Sequence, residues 1–412
     1  MQLVRKACAL LALMLVFAVI MTGALAAVYG LPNGTIAKNI KDDLPVLLQR
    51  RANNGRVIDA DTECIGLSMG LYRSPDAPTP SFERSVLAES VYGCAPFEKL
   101  LDGEELEVHR DYFRYWHGYT LVSRPLLSVM SYASVRGVIF TLSIGLLGWL
   151  LWRLGKDFGV PLALAVGLPF VVLNALGFWV VVTKAVSWFL AIGGSIVVGR
   201  RIGQAPYLLF GIIGMLTAAF DFLTIPALIF SLPAIVWLFY QSQRDVRERF
   251  VSVLWLGVFF GIGYIGFWSL KVGLAATVLD RDVIADVLGS VGTRLRGADP
   301  TIDSFWPGQA VWANIGALKT IWGLVFAGLV VACLAWPQSR QRLVGLARSR
   351  PDLMLVAVIP LVWLEVLSNH SQIHAAFTHL NFAPALMVVG LALFGVERID
   401  PISTSSIAKK PD

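Results

Sequence analysis

The sequence predicts an all-α polytopic membrane protein of about ten transmembrane helices, with a long first extracytoplasmic segment of amphipathic helices. Three observations point there. Apolar residues fill 56% of the 412 positions and charged residues only 15%, whereas soluble domains are about a quarter charged. Apolar stretches recur from Cys8 to Val396, and about 20 residues at 1.5 Å rise cross a hydrocarbon core. Lys and Arg gather in alternate loops, as the positive-inside rule requires. The net charge of +6 is spread over those loops. No basic run is interleaved with aromatics, so no nucleic-acid partner is expected.

The first apolar stretch, Cys8–Val28, follows Arg5 and Lys6. Ala24-Leu25-Ala26 resembles a signal-peptide cleavage site. The stretch is long, however, and the later spans orient consistently if residues 1–28 stay as an uncleaved helix. Further spans are expected at Gly137–Trp152, Val160–Val182 and Val186–Val198. Pro206–Tyr240 is too long for one crossing and splits at Asp221 into two helices meeting at the outer surface. Val251–Val272, Ile315–Trp336, Leu353–Leu367 and Phe382–Phe394 complete the set.

With the N-terminus inside, the inner loops carry Arg153 and Lys156, Arg200 and Arg201, Arg244, Arg247 and Arg249, then Arg340, Arg342, Arg348 and Arg350. The short outer loops hold little beyond Lys184. This places both termini in the cytoplasm. The divisions are a first helix (1–28), an extracytoplasmic segment with juxtamembrane helices (29–136), a membrane bundle (137–278), a second extracytoplasmic segment (279–314), a second bundle (315–397) and a polar cytoplasmic tail (398–412). The first outer segment alternates turn clusters with helical patterns such as Ile65–Leu71, which suits helices lying on the membrane surface.

Of the four cysteines, Cys8 and Cys333 lie in apolar stretches and act as small hydrophobes. Cys64 and Cys94 fall in the first outer segment, where oxidation is permitted, and are expected to pair. A Cys–Cys–His metal site with His109 or His117 is the alternative, but no CxxC spacing supports it.

The polar residues that a plain anchor would not need cluster at the outer end of the spans. Asp59, Asp61 and Glu63 precede an amphipathic pattern. They suit either a helix N-terminus or, for Asp61 above all, a general base at the membrane surface. In Tyr112-Phe-Arg-Tyr-Trp-His-Gly-Tyr an interfacial aromatic belt explains the rings. His117 and Arg124, on one face if helical, suit a phosphate or a sugar hydroxyl. Asp221 lies between two apolar runs, where a carboxylate is expensive, and suits a site residue or a helix cap. Lys271, near the outer end of its span, either snorkels or holds a lipid phosphate. Gly261, Gly263 and Gly266 would let helices approach closely there, and Arg294 and Arg296 would add to the phosphate site. Three of the five histidines fall in Glu365-Val-Leu-Ser-Asn-His-Ser-Gln-Ile-His-Ala-Ala-Phe-Thr-His. His370 and His374 have metal-compatible i,i+4 spacing, but the Glu is not placed as in HExxH. Asn369, His370 and His374 are therefore read as groups that bind a polar substrate. Glu365 would pair with Lys271 or be protonated by desolvation.

This organisation resembles the integral-membrane glycosyltransferases of the GT-C fold, and the resemblance lies in architecture rather than in a strict motif. Trp116-His-Gly-Tyr, Phe220-Asp-Phe-Leu-Thr and Asn369-His-Ser-Gln-Ile-His are also similar to segments of a bacterial membrane-protein family. The resemblance implies an outward-facing cavity and transfer of a sugar from a polyprenyl-phosphate carrier to a glycan, lipid or protein acceptor. It also implies a base in the first outer segment (Asp42, Asp43, Asp59 or Asp61) and basic residues on the carrier phosphate. The expectation is a glycosyltransferase of a bacterial inner membrane whose active site faces the periplasm or exterior. Membrane lipids surround it, no cofactor is required, and a divalent metal is compatible but not demanded. A flippase for a polar lipid would need polar residues through the full membrane depth, and the inner halves of the spans look bare. A non-catalytic envelope-assembly protein would tolerate loss of Asp61 or Asp221.

Overall fold

The computed structural model describes residues 2–52, 60–73, 80–104, 106, 109–173, 175, 180–199, 206–221, 223–242, 244–296, 306–318 and 321–396. The described chain is helical throughout except for one small strand pair.

Among the described residues four helices are long and apolar enough to cross a membrane: α1 (Gln2–Tyr29), α8 (Tyr132–Phe158), α13 (Val246–Val278) and the segment Ala375–Leu393. The first three keep large apolar side chains exposed along one face, such as Leu15 and Val19, Leu142 and Trp152, and Leu254 and Ile265. Such exposure is consistent with faces turned to lipid. A fifth crossing requires counting α16 (Ile321–Ala335) with α17 (Pro337–Ser349), which turn 86° against each other. The expected count of about ten is thus not reached by length. Val160–Val182 stops as α9 at Val172, Ile315–Trp336 breaks at Leu318, and Pro206–Tyr240 divides at Asp221 as expected. The resulting helices α9 (Val160–Val172), α10 (Ala185–Val198), α11 (Tyr207–Phe220) and α12 (Pro226–Phe239) have 13 or 14 residues. Each is about 20 Å long.

These short helices form the protein interior. Every residue of α12 is buried, as an all-apolar helix must be. It packs against α10, α13 and α18 (Pro351–Val366). The closest crossing joins α11 to α13. A Cβ on Gly263 would lie 2.0 Å from the Gly211 carbonyl oxygen, and one on Gly214 would lie 2.1 Å from that of Phe260. Gly263 is therefore the glycine of its group that the crossing requires. Gly266 faces Met14 of α1, and Gly261 faces open space.

The helices between residues 29 and 130 share a core of their own. They are α2 (Asn33–Lys41), α3 (Leu44–Ala52), α4 (Ala60–Ser68), α5 (Ser81–Leu87), α6 (Cys94–Asp102) and α7 (Thr120–Val129). Strands β1 (Glu89–Ser90) and β2 (Arg110–Asp111) pair antiparallel in the same segment. Ile36, Ile40, Cys64, Leu67, Cys94 and Phe97 bury one another and reach Tyr132 and Val135 of α8. The Cys64–Cys94 disulfide, with Cα atoms 5.0 Å apart, joins α4 to α6. It leaves no thiolates for a Cys–Cys–His metal site.

At the opposite end of α13 from Lys271, Asp352 is fully buried between two guanidinium groups. Arg249 Nε lies 3.0 Å and Arg350 Nη2 3.1 Å from Asp352 Oδ2. That end of the bundle is therefore not bare of buried charge, and the triad ties α18 to α13.

Candidate functional site

One cavity of about 630 Å³ collects residues from five distant stretches of chain. Thr62 and Ile65 come from α4, and Arg110, Tyr112 and Tyr115 from β2 and the turn after it. Leu223 comes from the link between α11 and α12. Helix α14 (Val283–Arg296) contributes Asp286, Gly289, Ser290, Thr293 and Arg294, whose 3/4 spacing is one helical face. Asn369, His370 and His374 come from α19 (Ser368–Ile373) and its C-terminal turn, and Phe377 from α20 (Ala375–Thr378).

Hydrogen bonds hold these stretches in register. Asn369 Nδ2 donates to the Thr293 carbonyl at 2.7 Å. A His370 ring nitrogen lies 2.9 Å from the Leu223 carbonyl oxygen, and burial holds this imidazole well below its usual pKa. It is therefore neutral and oriented, with Nε2 as the donor. The His374 ring sits 4.7 Å from that of His370 and stacks on Phe377 at 5.1 Å. Behind Phe377 the buried Lys184 ammonium stands 3.5 Å from the ring centre, a close cation–π contact.

The cavity is cationic. Arg110 lies over Tyr112 at 5.0 Å, and Arg294 over Tyr115 at 5.6 Å. Arg294 donates through Nη1 to the Ser290 carbonyl at 2.9 Å. Among the described residues the one carboxylate in the lining is Asp286, which is ion-paired with the buried Arg114.

A second, apolar slot of about 170 Å³ adjoins the polar chamber. Tyr264 and Trp268 of α13, Val287 and Val291 of α14, and Trp363 and Leu367 at the end of α18 form most of it, with Arg114 also in its wall. Tyr115, Leu223, Ser290 and Arg294 line both spaces, so Arg294 stands at their junction.

Of the sequence-predicted site residues, Arg294, Asn369, His370 and His374 line the chamber. Asp221 lies beneath it. Its Oδ1 accepts from Ser187 Oγ at 2.6 Å and its Oδ2 from the Thr224 amide at 2.8 Å. The carboxylate thus fixes the turn whose Leu223 carbonyl holds His370. Asp61 is not in the lining: it is exposed, and its Oδ1 accepts from the Cys94 amide at 2.9 Å, capping α6. Asp59 lies outside the described residues, as does the side chain of Arg296. Glu365 is not paired with Lys271. It accepts from the Gly308 and Val311 amides at 3.0 and 2.9 Å, capping α15 (Gln309–Ala317).

Lys271 is buried and donates to the Val86 carbonyl at 2.9 Å, 5.8 Å from the Trp116 ring, away from the chamber. His117 and Arg124 do not share a helical face, because His117 precedes α7 in a left-handed conformation, φ 52°. His117 sits edge-on to Tyr112, Tyr115 and Tyr119, behind the chamber wall. Burial pushes its pKa down to about 3, with Lys271 and Arg114 adding to that and a backbone bond to Tyr112 opposing it. Arg124 closes the end of α1, donating to Val28 O at 2.9 Å and Asn33 Oδ1 at 2.8 Å. Burial lowers its pKa to about 10.

Sequence reasoning missed Arg110, Tyr112, Tyr115, Asp286, Lys184 and Phe377. The tyrosines read as an interfacial belt and Lys184 as a loop charge. The Asp286-Gly289-Ser290-Thr293-Arg294 stripe was legible as helical periodicity. Glu89, His109 and Asp111 could hold a cation, since one ligand atom from each lies within 4.8 Å of the others. Glu89 and Asp111 are direct cross-strand partners, a like-charge pairing that a cation or a protonated His109 would relieve. No protein-family model, curated protein or solved structure matches this chain.

Proposed function

We propose that this chain is a GT-C-like membrane glycosyltransferase that moves a sugar from a polyprenyl-phosphate carrier to an envelope acceptor. The observation that supports this reading best is the meeting of a polar, cationic chamber with an apolar slot at Arg294. A lipid-linked sugar has that division, with a polar head, an apolar tail and a phosphate between them. The remaining short apolar helices then lie within the bilayer beside the long ones, giving up to ten membrane-embedded segments. The cationic loops face the cytoplasm of a bacterial inner membrane and the chamber faces outward.

In this mechanism the acceptor hydroxyl attacks the anomeric carbon while the bond from that carbon to the phosphate oxygen breaks. The electron pair leaves on the phosphate, whose developing charge Arg294 stabilises. The hydroxyl proton passes to the His374 imidazole as general base, because Asp61 is outside the lining and Asp286 is engaged by Arg114. Asn369, His370 and Arg110 orient sugar hydroxyls, and a single displacement inverts the anomeric configuration. No cofactor is required, and the Glu89–His109–Asp111 group is where a divalent metal would be sought.

The test is transfer of radiolabelled sugar from synthetic polyprenyl-phosphate donors by the purified full-length protein, beside Arg294→Gln and His374→Gln. Turnover or slow donor hydrolysis is expected, with tighter donor binding in His374→Gln than in Arg294→Gln. Donor binding without turnover, indifferent to both substitutions, would overturn the reading. It would favour a flippase, which the adjoining slot also suits, or an assembly protein.

A further inference from the structure

We infer that helix α14 is seated in the outer leaflet of the bilayer, as a lipid-facing wall of the chamber, so that the slot is loaded sideways from the membrane. The helix has three distinct faces. Val283 and Val287 are buried against Val272 and Ala275 of α13. Gly289, Thr293 and their neighbours face the chamber. Opposite the chamber face, Ile284, Leu288 and Leu295 are 51%, 67% and 37% exposed, and Val291 at the edge of this stripe borders the slot. At 100° per residue the three fall within an arc of about 40°. An exposed aliphatic stripe of this kind is what an interfacial helix presents to acyl chains.

Continuity identifies the occupant. Helix α14 begins at Val283, shortly after α13 ends at Val278, and the lower part of α13 already exposes Leu254, Val258 and Ile265. A span delivers the next helix to the bilayer surface. Arg281 in the turn is tied to Asp111 of β2, which holds that surface close to the outer segment. Exposed Trp306 and Trp312 follow, the residue type that settles at headgroup level. The slot lies between α13, α14 and the end of α18. With α14 among the acyl chains, an amphiphile reaches Arg294 without leaving the membrane. This placement holds whether the chamber catalyses transfer or only binds a lipid, so it stands or falls separately from the proposed function.

The experiment uses nitroxide labels at Ile284→Cys and, separately, Leu288→Cys in a Cys8→Ser background, on full-length protein in phospholipid nanodiscs. Two sites guard against one variant failing to fold. Collision accessibility to oxygen and to a water-soluble nickel chelate is compared with Leu254→Cys as the lipid reference and Lys99→Cys as the aqueous one. The expected result is a shift of the oxygen-to-nickel ratio at both sites to the Leu254→Cys value. A ratio at the Lys99→Cys value would overturn the inference. So would dipolar broadening between labels, which would mean that a second copy of the chain covers the stripe.

Discussion

Removing the Asp352 carboxylate should be among the most damaging single changes to this fold. Its side chain is 0% exposed, and Arg249 and Arg350 beside it are 4% and 9% exposed. Arg249 reaches it through Nε at 3.0 Å, while Arg350 adds Nη2 at 3.1 Å and Nε at 3.3 Å. In Asp352→Ala two buried guanidinium groups lose their common counter-ion, and breaking a buried pair from one side costs about 3–5 kcal/mol. Asp352→Asn keeps an acceptor oxygen but loses the charge, and a charge-assisted bond is worth about 1.5–3 kcal/mol. Replacing all three by Arg249→Met, Arg350→Met and Asp352→Leu removes the desolvation cost as well. That should recover most of the loss, since apolar replacement of a buried triad is often neutral or stabilising by about 1–4 kcal/mol. The assay is reversible unfolding of the purified protein in mixed micelles of a mild detergent and dodecyl sulfate, read by helical circular dichroism. If Asp352→Ala costs less than about 1 kcal/mol, the value of an exposed pair, the triad is solvated and the reasoning fails.

The His117 imidazole gives a pH dependence of definite sign. The unfolded chain takes up its proton near pH 6.5 and the folded chain only near 3. Stability should therefore fall as pH drops below about 6.5, by up to about 1.4 kcal/mol per unit from this group. His117→Asn, which tolerates the left-handed backbone, should flatten this slope in acid-unfolding curves; an unchanged slope would show that the proton goes elsewhere. The 30-residue separation of Cys64 and Cys94 implies that Cys64→Ala with Cys94→Ala costs the segment between α1 and α8 about 3–4 kcal/mol of stability. Limited proteolysis of that segment should accelerate accordingly, and equal cleavage rates would refute this. Gly263→Ala forces a Cβ to 2.0 Å from the Gly211 carbonyl and should cost about 1–3 kcal/mol or more. Gly261→Ala, facing open space, should be neutral or stabilise by up to about 1 kcal/mol. The same detergent unfolding assay ranks the two, and equal behaviour would contradict the close crossing.

The parts of the structure legible in the sequence were those set by local rules. Helical class, the long apolar helices α1, α8 and α13, the split at Asp221 and the cysteine pair follow from composition, span length and compartment chemistry. The count of about ten spans rested on apolar stretches and on the alternation of cationic loops. The expected Val186–Val198 and the two halves of Pro206–Tyr240 are short stretches and match α10, α11 and α12, whereas the expected Val160–Val182 ends at Val172 in α9. A fully buried helix and a membrane span have the same composition, and only packing separates them. The site was half legible for a similar reason. Arg294, Asn369, His370 and His374 stood out as polar groups on apolar-rich elements. Tyr112, Tyr115 and Phe377 are aromatic, and aromatic residues near span ends always suit a belt.

The carboxylates show how this fold uses the acids that the sequence singles out. Asp61, Asp221 and Glu365 stand out in the sequence as a surface base, a costly intramembrane acid and a partner for Lys271, and each accepts backbone amides: those of Cys94, of Thr224, and of Gly308 and Val311. A fold that brings several helix starts together at one end of a bundle leaves orphan amides there. A carboxylate is the strongest side-chain acceptor for them. Its lone pairs are then directed at N–H groups and are less available to take a substrate proton. In the chamber itself, Asp286 is engaged by Arg114 and His370 by the Leu223 carbonyl. Under the proposed transfer reaction His374, stacked on Phe377 and facing His370, is the proton acceptor. If the protein is a transferase, loss of turnover with retained donor binding in His374→Gln, beside near-normal turnover in Asp61→Asn, is the pattern this arrangement requires.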